Sequence, residues 1–190
     1  FTYDSVAWLV SLGQWRAWGR TVLSRARGPR VLELGHGPGH VLIALARSGH
    51  HPVGIDLSPQ MSRLAQRHIR QAGVKVPQVQ CRSGALPFRS GIFDSAVATF
   101  PTDYIGELAT LREVQRVTTE RGRLIVVFGA QLVGRERSKL FIEWIYRLPG
   151  QREAKVDDEV SIFDRVGMPA RIETETVGAS TVTLIVAEKK

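Results

Sequence analysis

The stretch Arg30-Val31-Leu32-Glu33-Leu34-Gly35-His36-Gly37-Pro38-Gly39 decides how the rest of the chain is read. Arg30 to Leu34 is a short apolar run suited to a buried strand, and it breaks into three closely spaced glycines. An apolar segment, Val41 to Ala46, follows and is closed by Gly49, so the order is strand, glycine-rich turn, helix. In an open α/β sheet, ligands settle where the loop after a strand meets a helix N-terminus. Glycines let the backbone approach a ligand closely, and amides exposed at the helix start can bind a carboxylate or phosphate.

Working outward, Pro52 to Asp56 gives a second strand, after which Ser58 is a good N-cap and Pro59 a good first helical residue. Met61, Leu64, Ala65, His68, Ile69 and Ala72 recur at helical spacing until Gly73, a stripe more often core than ligand contact. Further strands fit Gln78 to Arg82, Phe93 to Thr99 and Arg123 to Phe128, with a helix at Leu108 to Val117 between the last two. At the end, Arg171 to Val177 and Thr181 to Ala187 are joined by Gly178-Ala179-Ser180, which is hairpin spacing. The fold class expected is α/β, a doubly wound, mostly parallel seven-stranded sheet with an antiparallel C-terminal hairpin strand at one edge. One domain over residues 1–190 is the economical organisation.

Two segments lie outside this alternation. Phe1 to Arg27 carries Trp8, Trp15 and Trp18 with Leu9, Val10, Leu12, Val22 and Leu23, and reads as an N-terminal helical cover over the ligand end. Leu132 to Leu148, with Leu140, Phe141, Trp144, Ile145 and Leu148, reads as an inserted helix near the substrate mouth, ahead of another helix at Val160 to Val166.

Composition narrows the class. A hydrophobic fraction of 43%, a charged fraction of 23% and the absence of a long apolar run point to a soluble globular protein. Cys81 stands alone and forms no internal disulfide, which fits a reducing, cytoplasmic compartment. Phe1 reads as a trimmed start, with no targeting region to interpret. A formal charge of +8 creates a field that attracts phosphates or an anionic membrane surface. The basic residues nevertheless look scattered (Arg16, Arg20, Arg25, Arg27, Arg30, then Arg63, Arg67, Arg70), and scatter reads mostly as a solvated face. The histidines and one cysteine match no zinc spacing, so no metal is expected.

Spacing sharpens the ligand. A dinucleotide fingerprint counted from Gly35 wants its third glycine at position 40, where His40 stands. The glycines instead run Gly35, Gly37, Gly39, preceded by Glu33, and Asp56 closes the next strand, where a carboxylate can accept from both ribose hydroxyls. These parts suit an adenosine carrying an amino-acid tail better than a pyrophosphate.

Here the sequence resembles the class I S-adenosylmethionine-dependent methyltransferases, with their Rossmann-like fold, and among them the group that includes the quinone (ubiquinone/menaquinone) C-methyltransferases. The resemblance runs through Val31 to Gly39, Gly54-Ile55-Asp56-Leu57-Ser58, Met61, Leu86-Pro87-Phe88 with Phe93-Asp94, and Arg112-Glu113-Val114-Gln115-Arg116-Val117 leading into Gly122-Arg123-Leu124-Ile125. It implies S-adenosyl-L-methionine as cofactor. Gly35 and Gly37 then pass beneath the methionine moiety, with His36 and Gly39 in the same loop; Glu33 fixes the amino group, Asp56 holds the ribose, and Leu57 and Met61 flank the adenine. The family often has an acid four positions before Leu86, on the adenine amino group; Arg82 stands there, and Ser83 is the expected substitute. Thr99, Phe100 and Pro101 would line the space between cofactor and acceptor, while Asp94 reads as a strand pin.

The cofactor's methyl group is electrophilic already, so alignment is the enzyme's main task. If a proton must leave, Asp103, Tyr104 and His36 are candidate bases near the mouth, none of them standing out. The apolar cover favours a small hydrophobic or aromatic acceptor, a quinone precursor or a lipid headgroup drawn from a membrane at whose surface the protein would sit peripherally. Two alternatives compete. An RNA methyltransferase would suit the charge, but Thr99-Phe100-Pro101-Thr102 is not an Asn-Pro-Pro-Tyr-like target-base motif. A non-catalytic cofactor-binding subunit would keep the loop without turnover.

Overall fold

The computed structural model describes residues 14–132 and 161–190. Seven strands form one sheet: β1 (Arg30–Leu34), β2 (His51–Asp56), β3 (Gln78–Gln80), β4 (Phe93–Thr99), β5 (Thr118–Leu132), β6 (Ala170–Val177) and β7 (Ser180–Glu188), in the order β3-β2-β1-β4-β5-β7-β6. The first five run parallel, and β7 pairs antiparallel with both β5 and β6. The antiparallel strand is therefore inside the sheet and the edge is β6, a refinement of the sequence expectation of an antiparallel edge. The helices are α1 (Trp15–Gly19), α2 (His40–Arg47), α3 (Pro59–Gln71) and α4 (Leu108–Val117), with single 3-10 turns at Arg20–Val22 and Asp103–Gly106.

The two-residue period of the strands divides the core. Leu32 and Leu34 of β1, Ala96 and Ala98 of β4, Leu124 and Val126 of β5, and Ile185 and Ala187 of β7 bury into one layer with Leu111, Val114 and Val117 of α4. Val31, Val97, Ile125, Val127, Leu184 and Val186, one step out of phase, meet Trp18, Val22 and, from α2, Val41 and Leu45 on the other face. Each large side chain so buried contributes about 1.5–3 kcal/mol. A parallel sheet covered on both faces is what continuous apolar strands require.

Ser58 caps α3 as the sequence suggests, its Oγ accepting from the Met61 N–H at 3.3 Å. The remaining differences are at strand ends. β3 stops at Gln80, short of Arg82. β5 is far longer than Arg123 to Phe128, because Thr118 pairs with Phe93 and the stretch beyond Gly129 pairs only with β7. The hairpin turn is Gly178-Ala179, with Val177 opposite Ser180 and Gly178 at φ +59°.

The N-terminal segment is tied across the last strands. Arg25 bridges Glu173 and Glu175 of β6, and the Ser180 hydroxyl donates to Gln14 Oε1 at 2.7 Å. Trp18 is core, 4% exposed. Residues 1–13, including Trp8, and the expected inserted helix after Leu132 lie outside the described residues, Leu132 itself being the last residue of β5. The helix expected near Val160 to Val166 is present over residues 161–164.

Candidate active site at the carboxyl ends of β1, β2 and β4

The turn after β1 places Gly35, Gly37 and Gly39 at φ +64°, +50° and +80°. A side chain would be strained at all three, but the surroundings differ. At Gly37 a Cβ would meet nothing within 4 Å, so its face is open; at Gly39 a Cβ would press on Ala65 at 2.9 Å, so that glycine serves the packing of α2 on α3. At Gly35 a Cβ would lie 2.7 Å from the Tyr104 hydroxyl, which donates to the Leu34 carbonyl at 3.1 Å.

Asp56 ties the two turns together. Its Oδ2 accepts from the Gly37 N–H and its Oδ1 from the Ser58 N–H, both at 2.8 Å. Each oxygen retains a further lone pair for a ligand hydroxyl. Beyond it, Leu57 projects with 59% exposure beside the partly buried Met61.

Glu33 lies beneath the turn, 1% exposed, on the same face of β1 as Val31. Its carboxylate accepts the Leu42 N–H in the first turn of α2, while Oε2 has no hydrogen-bond partner. Desolvation pushes its pKa well above the usual carboxylate range, against the Leu42 bond and reinforced by the negative charge of Asp56.

His36 is also buried, 3% exposed. Its Nδ1 lies 2.8 Å from the Gly37 carbonyl, which only accepts, so Nδ1 carries the proton and Nε2 presents a lone pair with no partner. Burial holds the imidazole below its ordinary pKa. The ring fits because position 54 is glycine: a Cβ there would lie 2.8 Å from His36 Cδ2 and 2.6 Å from Leu42 Cδ1.

Above the turn, Trp15 stacks on Phe100 with centroids 4.0 Å apart, and Trp18 is tilted against both. Phe100 follows β4 at φ +49°, a conformation that costs a non-glycine residue about 1–3 kcal/mol. Its N–H bonds the Val127 carbonyl at 2.8 Å, which helps hold it there. A pocket of about 40 Å³ opens between this aromatic wall and Glu33, Gly35, Gly37, Val41 and Thr99. Trp15 and Gly19 belong to this wall; the sequence named Trp15 only as part of a helical cover over the ligand end, and Gly19 not at all.

Ser83, Arg82, Asp103 and Tyr104 do not line that pocket. Ser83 is half-buried and accepts from the Thr110 hydroxyl at 3.2 Å, while Arg82 is exposed. Asp103 is exposed on its 3-10 turn. Burial raises the Tyr104 phenol, with Glu33 and Asp56 adding to the effect. Asp94 pins the start of β1, accepting from the Arg30 N–H and guanidinium. Glu113 accepts the Leu86 N–H at 2.7 Å and pairs with Arg116, which donates to the Leu86 and Phe88 carbonyls. The Leu86-Pro87-Phe88 motif is thus a loop clamped by α4.

Strand order, the reversed β7, the glycine turn after β1 and the acid closing β2 define a class I methyltransferase fold. Residues 31–122 match the family model described as a methyltransferase domain. Over 76% of its length the chain is 34% identical to a demethylmenaquinone methyltransferase of Mycobacterium marinum, spanning 62% of that protein. Among solved structures, an S-adenosylmethionine-dependent methyltransferase of Thermotoga maritima, described as a possible histamine N-methyltransferase, superposes with a TM-score of 0.69 at 20% identity, covering 98% of this chain and 94% of that one. The geranyl diphosphate C-methyltransferase of Streptomyces coelicolor A3(2), solved with S-adenosyl-L-homocysteine, superposes with a TM-score of 0.69 at 15% identity, covering 92% and 79%. Through residues 31–122 this chain is similar to the methyltransferase-domain family, and it resembles the demethylmenaquinone methyltransferases, of whose length it spans 62% in one case and 52% in another.

Proposed function

We propose that this protein transfers a methyl group from S-adenosylmethionine to a small hydrophobic or aromatic acceptor. The observation that carries the reading is the pairing of Asp56, fixed by two backbone amides yet with lone pairs to spare, with Glu33, whose Oε2 is buried and unpartnered beside the glycine turn. A buried acceptor without a donor is costly, about 1–3 kcal/mol, and a cationic amino group would relieve it.

In this reading Gly35, His36, Gly37 and Gly39 shape the loop, with the open face of Gly37 meeting the ligand's amino-acid end and Glu33 its ammonium. Asp56 accepts from the ribose hydroxyls; Leu57 and Met61 hold the adenine, and Ser83 supplies a polar contact near its edge. The pocket beside Trp15 is too small for a nucleoside and takes only the reacting end, while the surface from Gly37 past Asp56 to Leu57 is open to receive the rest. When bound, the sulfonium supplies a methyl group that needs no activation. The chain's part is to orient the partners and to exclude water through Thr99, Phe100 and Trp15.

We assign no base role to Tyr104, whose hydroxyl is spent on Leu34, nor to His36, which lines the pocket but whose Nε2 is buried. Asp103 is the candidate left exposed. The acceptor class follows from the aromatic wall and from the demethylmenaquinone methyltransferase relative, whose name supports a quinone-like acceptor here. Such an acceptor would come from a membrane approached peripherally from the cytoplasm; no described helix is long and apolar enough to cross one. Calorimetric titration with S-adenosylhomocysteine tests the cofactor site: the parent binds, Asp56→Ala binds at least about tenfold more weakly, and equal affinity for the two would overturn the reading.

A further inference from the structure

The scatter of basic residues in the sequence disappears in three dimensions. Arg25, Arg30, Arg116 and Arg123 each pair with a carboxylate. From Leu57 to Phe93, by contrast, the chain contains no Asp or Glu, and its six cations are Arg63, Arg67, Arg70, Lys75, Arg82 and Arg89. All six are exposed, and none forms an ion pair with a described carboxylate. Four of them, Arg63, Arg67, Arg70 and Lys75, stand on α3 or between it and β3, the edge strand of the sheet, so four uncompensated charges gather at that edge.

The side is also shaped. Arg63, Arg67 and Arg70 follow one another at four- and three-residue spacing along α3 and so share a face. A groove of about 620 Å³ runs between α3 and β3, lined by Arg63, Gln66, Arg70, Lys75, Gln78 and Gln80, with no carboxylate in its wall. At its upper end the Gln80 amide donates to the carbonyl of Leu57, the most exposed large apolar side chain described.

We propose that this edge docks on an anionic lipid bilayer, lipid phosphates seating in the groove and the row of arginines lying along the headgroups. Charge complementarity demands a polyanion. The chemistry of the edge selects the bilayer over a nucleic acid, because single-stranded nucleic acids are held by exposed aromatic platforms and this stretch has no Trp or Tyr, its Phe88 and Phe93 packing on each other at 5.1 Å. The inference extends the reading of a membrane-derived acceptor, and its test is independent of turnover.

The test is co-sedimentation of the full chain with phosphatidylcholine vesicles, with and without about 30% phosphatidylglycerol. The parent should bind only the anionic vesicles, and release as salt is raised toward about 0.5 M. The Arg63→Gln/Arg70→Gln/Lys75→Gln variant should bind them roughly a hundredfold more weakly, while Arg171→Gln, at the opposite edge, should bind as the parent does. Vesicle binding by the parent that ignores salt, equal binding by the triple variant, or tighter binding of an RNA of about 20 nucleotides at the same salt would each overturn the proposal. S-adenosylhomocysteine titration of the same samples separates the two readings. Loss of nucleoside binding with vesicle binding kept defeats the methyltransferase assignment alone, and the reverse defeats the docking surface alone.

Discussion

A carboxylate with 1% exposure and one oxygen without a partner makes its own ionisation expensive, and Glu33 is in that position. The folded chain holds the Glu33 proton more tightly than the unfolded chain does. The stability this gives is complete below the ordinary carboxylate pKa and is lost as pH rises through the higher folded value. Glu33→Gln keeps the shape and cannot ionise. Its melting temperature should therefore gain on the parent's between about pH 5 and pH 8, by an amount equivalent to roughly 1–3 kcal/mol. The same variant should bind S-adenosylhomocysteine about ten to a hundred times more weakly, and the parent's affinity should rise with pH as Glu33 ionises. Melting curves that keep the same separation at every pH would show that Glu33 is not the group involved. At Asp56 the smaller change to Asn leaves one acceptor for two amides, so Asp56→Asn should weaken nucleoside binding by about tenfold and loosen the Gly37 turn.

Elements were legible where periodicity spoke and less so where tertiary pairing set their ends. β1, β4 and α4 have the limits the sequence suggests, because their apolar periods stop at glycine, proline or a change of phase. β5 outran its expectation because its ends are set by partners, Phe93 at one and β7 at the other. At the site, the glycine turn, Asp56 and Ser58 could be read directly. The stacking of Trp15 on Phe100 and the seat of His36 over Gly54 could not, since both depend on residues brought together from separate elements. Gly54→Ala tests that seat: the added methyl meets Leu42 and His36 below 3 Å, and denaturant unfolding should register about 1–3 kcal/mol of lost stability. Glu113→Ala removes the acceptor of the Leu86 amide and the partner of Arg116. Hydrogen exchange should then quicken at Leu86, with α4 still protected, whereas unchanged exchange would mean that the loop needs no clamp.

Among the described residues, arginine-paired carboxylates stand apart from the bare cations of α3, and the two groups respond to different conditions. Asp94, Glu113, Glu173 and Glu188 all have pKa values held low in the fold, the first three chiefly by hydrogen bonds from Arg30, Arg116 and Arg25, Glu188 by Arg123 and Arg27 against its own desolvation. Their contribution is present above the unfolded carboxylate pKa and disappears as pH falls through the lower folded values. Acid unfolding should therefore begin below about pH 4, and Arg25→Met, which takes a partner from both Glu173 and Glu175 and leaves Glu173 only Arg171, should bring it on at higher pH, as circular dichroism would record. The position of β7 bears on assembly as well. β6 is made before β7 yet touches the sheet only through it, so β6 cannot dock until β7 is present. The short turn at Gly178-Ala179 lets the pair zip locally into a ribbon that then enters alongside β5, whose partners are some fifty to sixty-five residues distant. Because distant pairing slows folding, arrival of that preformed ribbon should be the late, rate-setting event, visible in refolding as β-sheet signal that trails the burial of Leu32, Val97 and their neighbours.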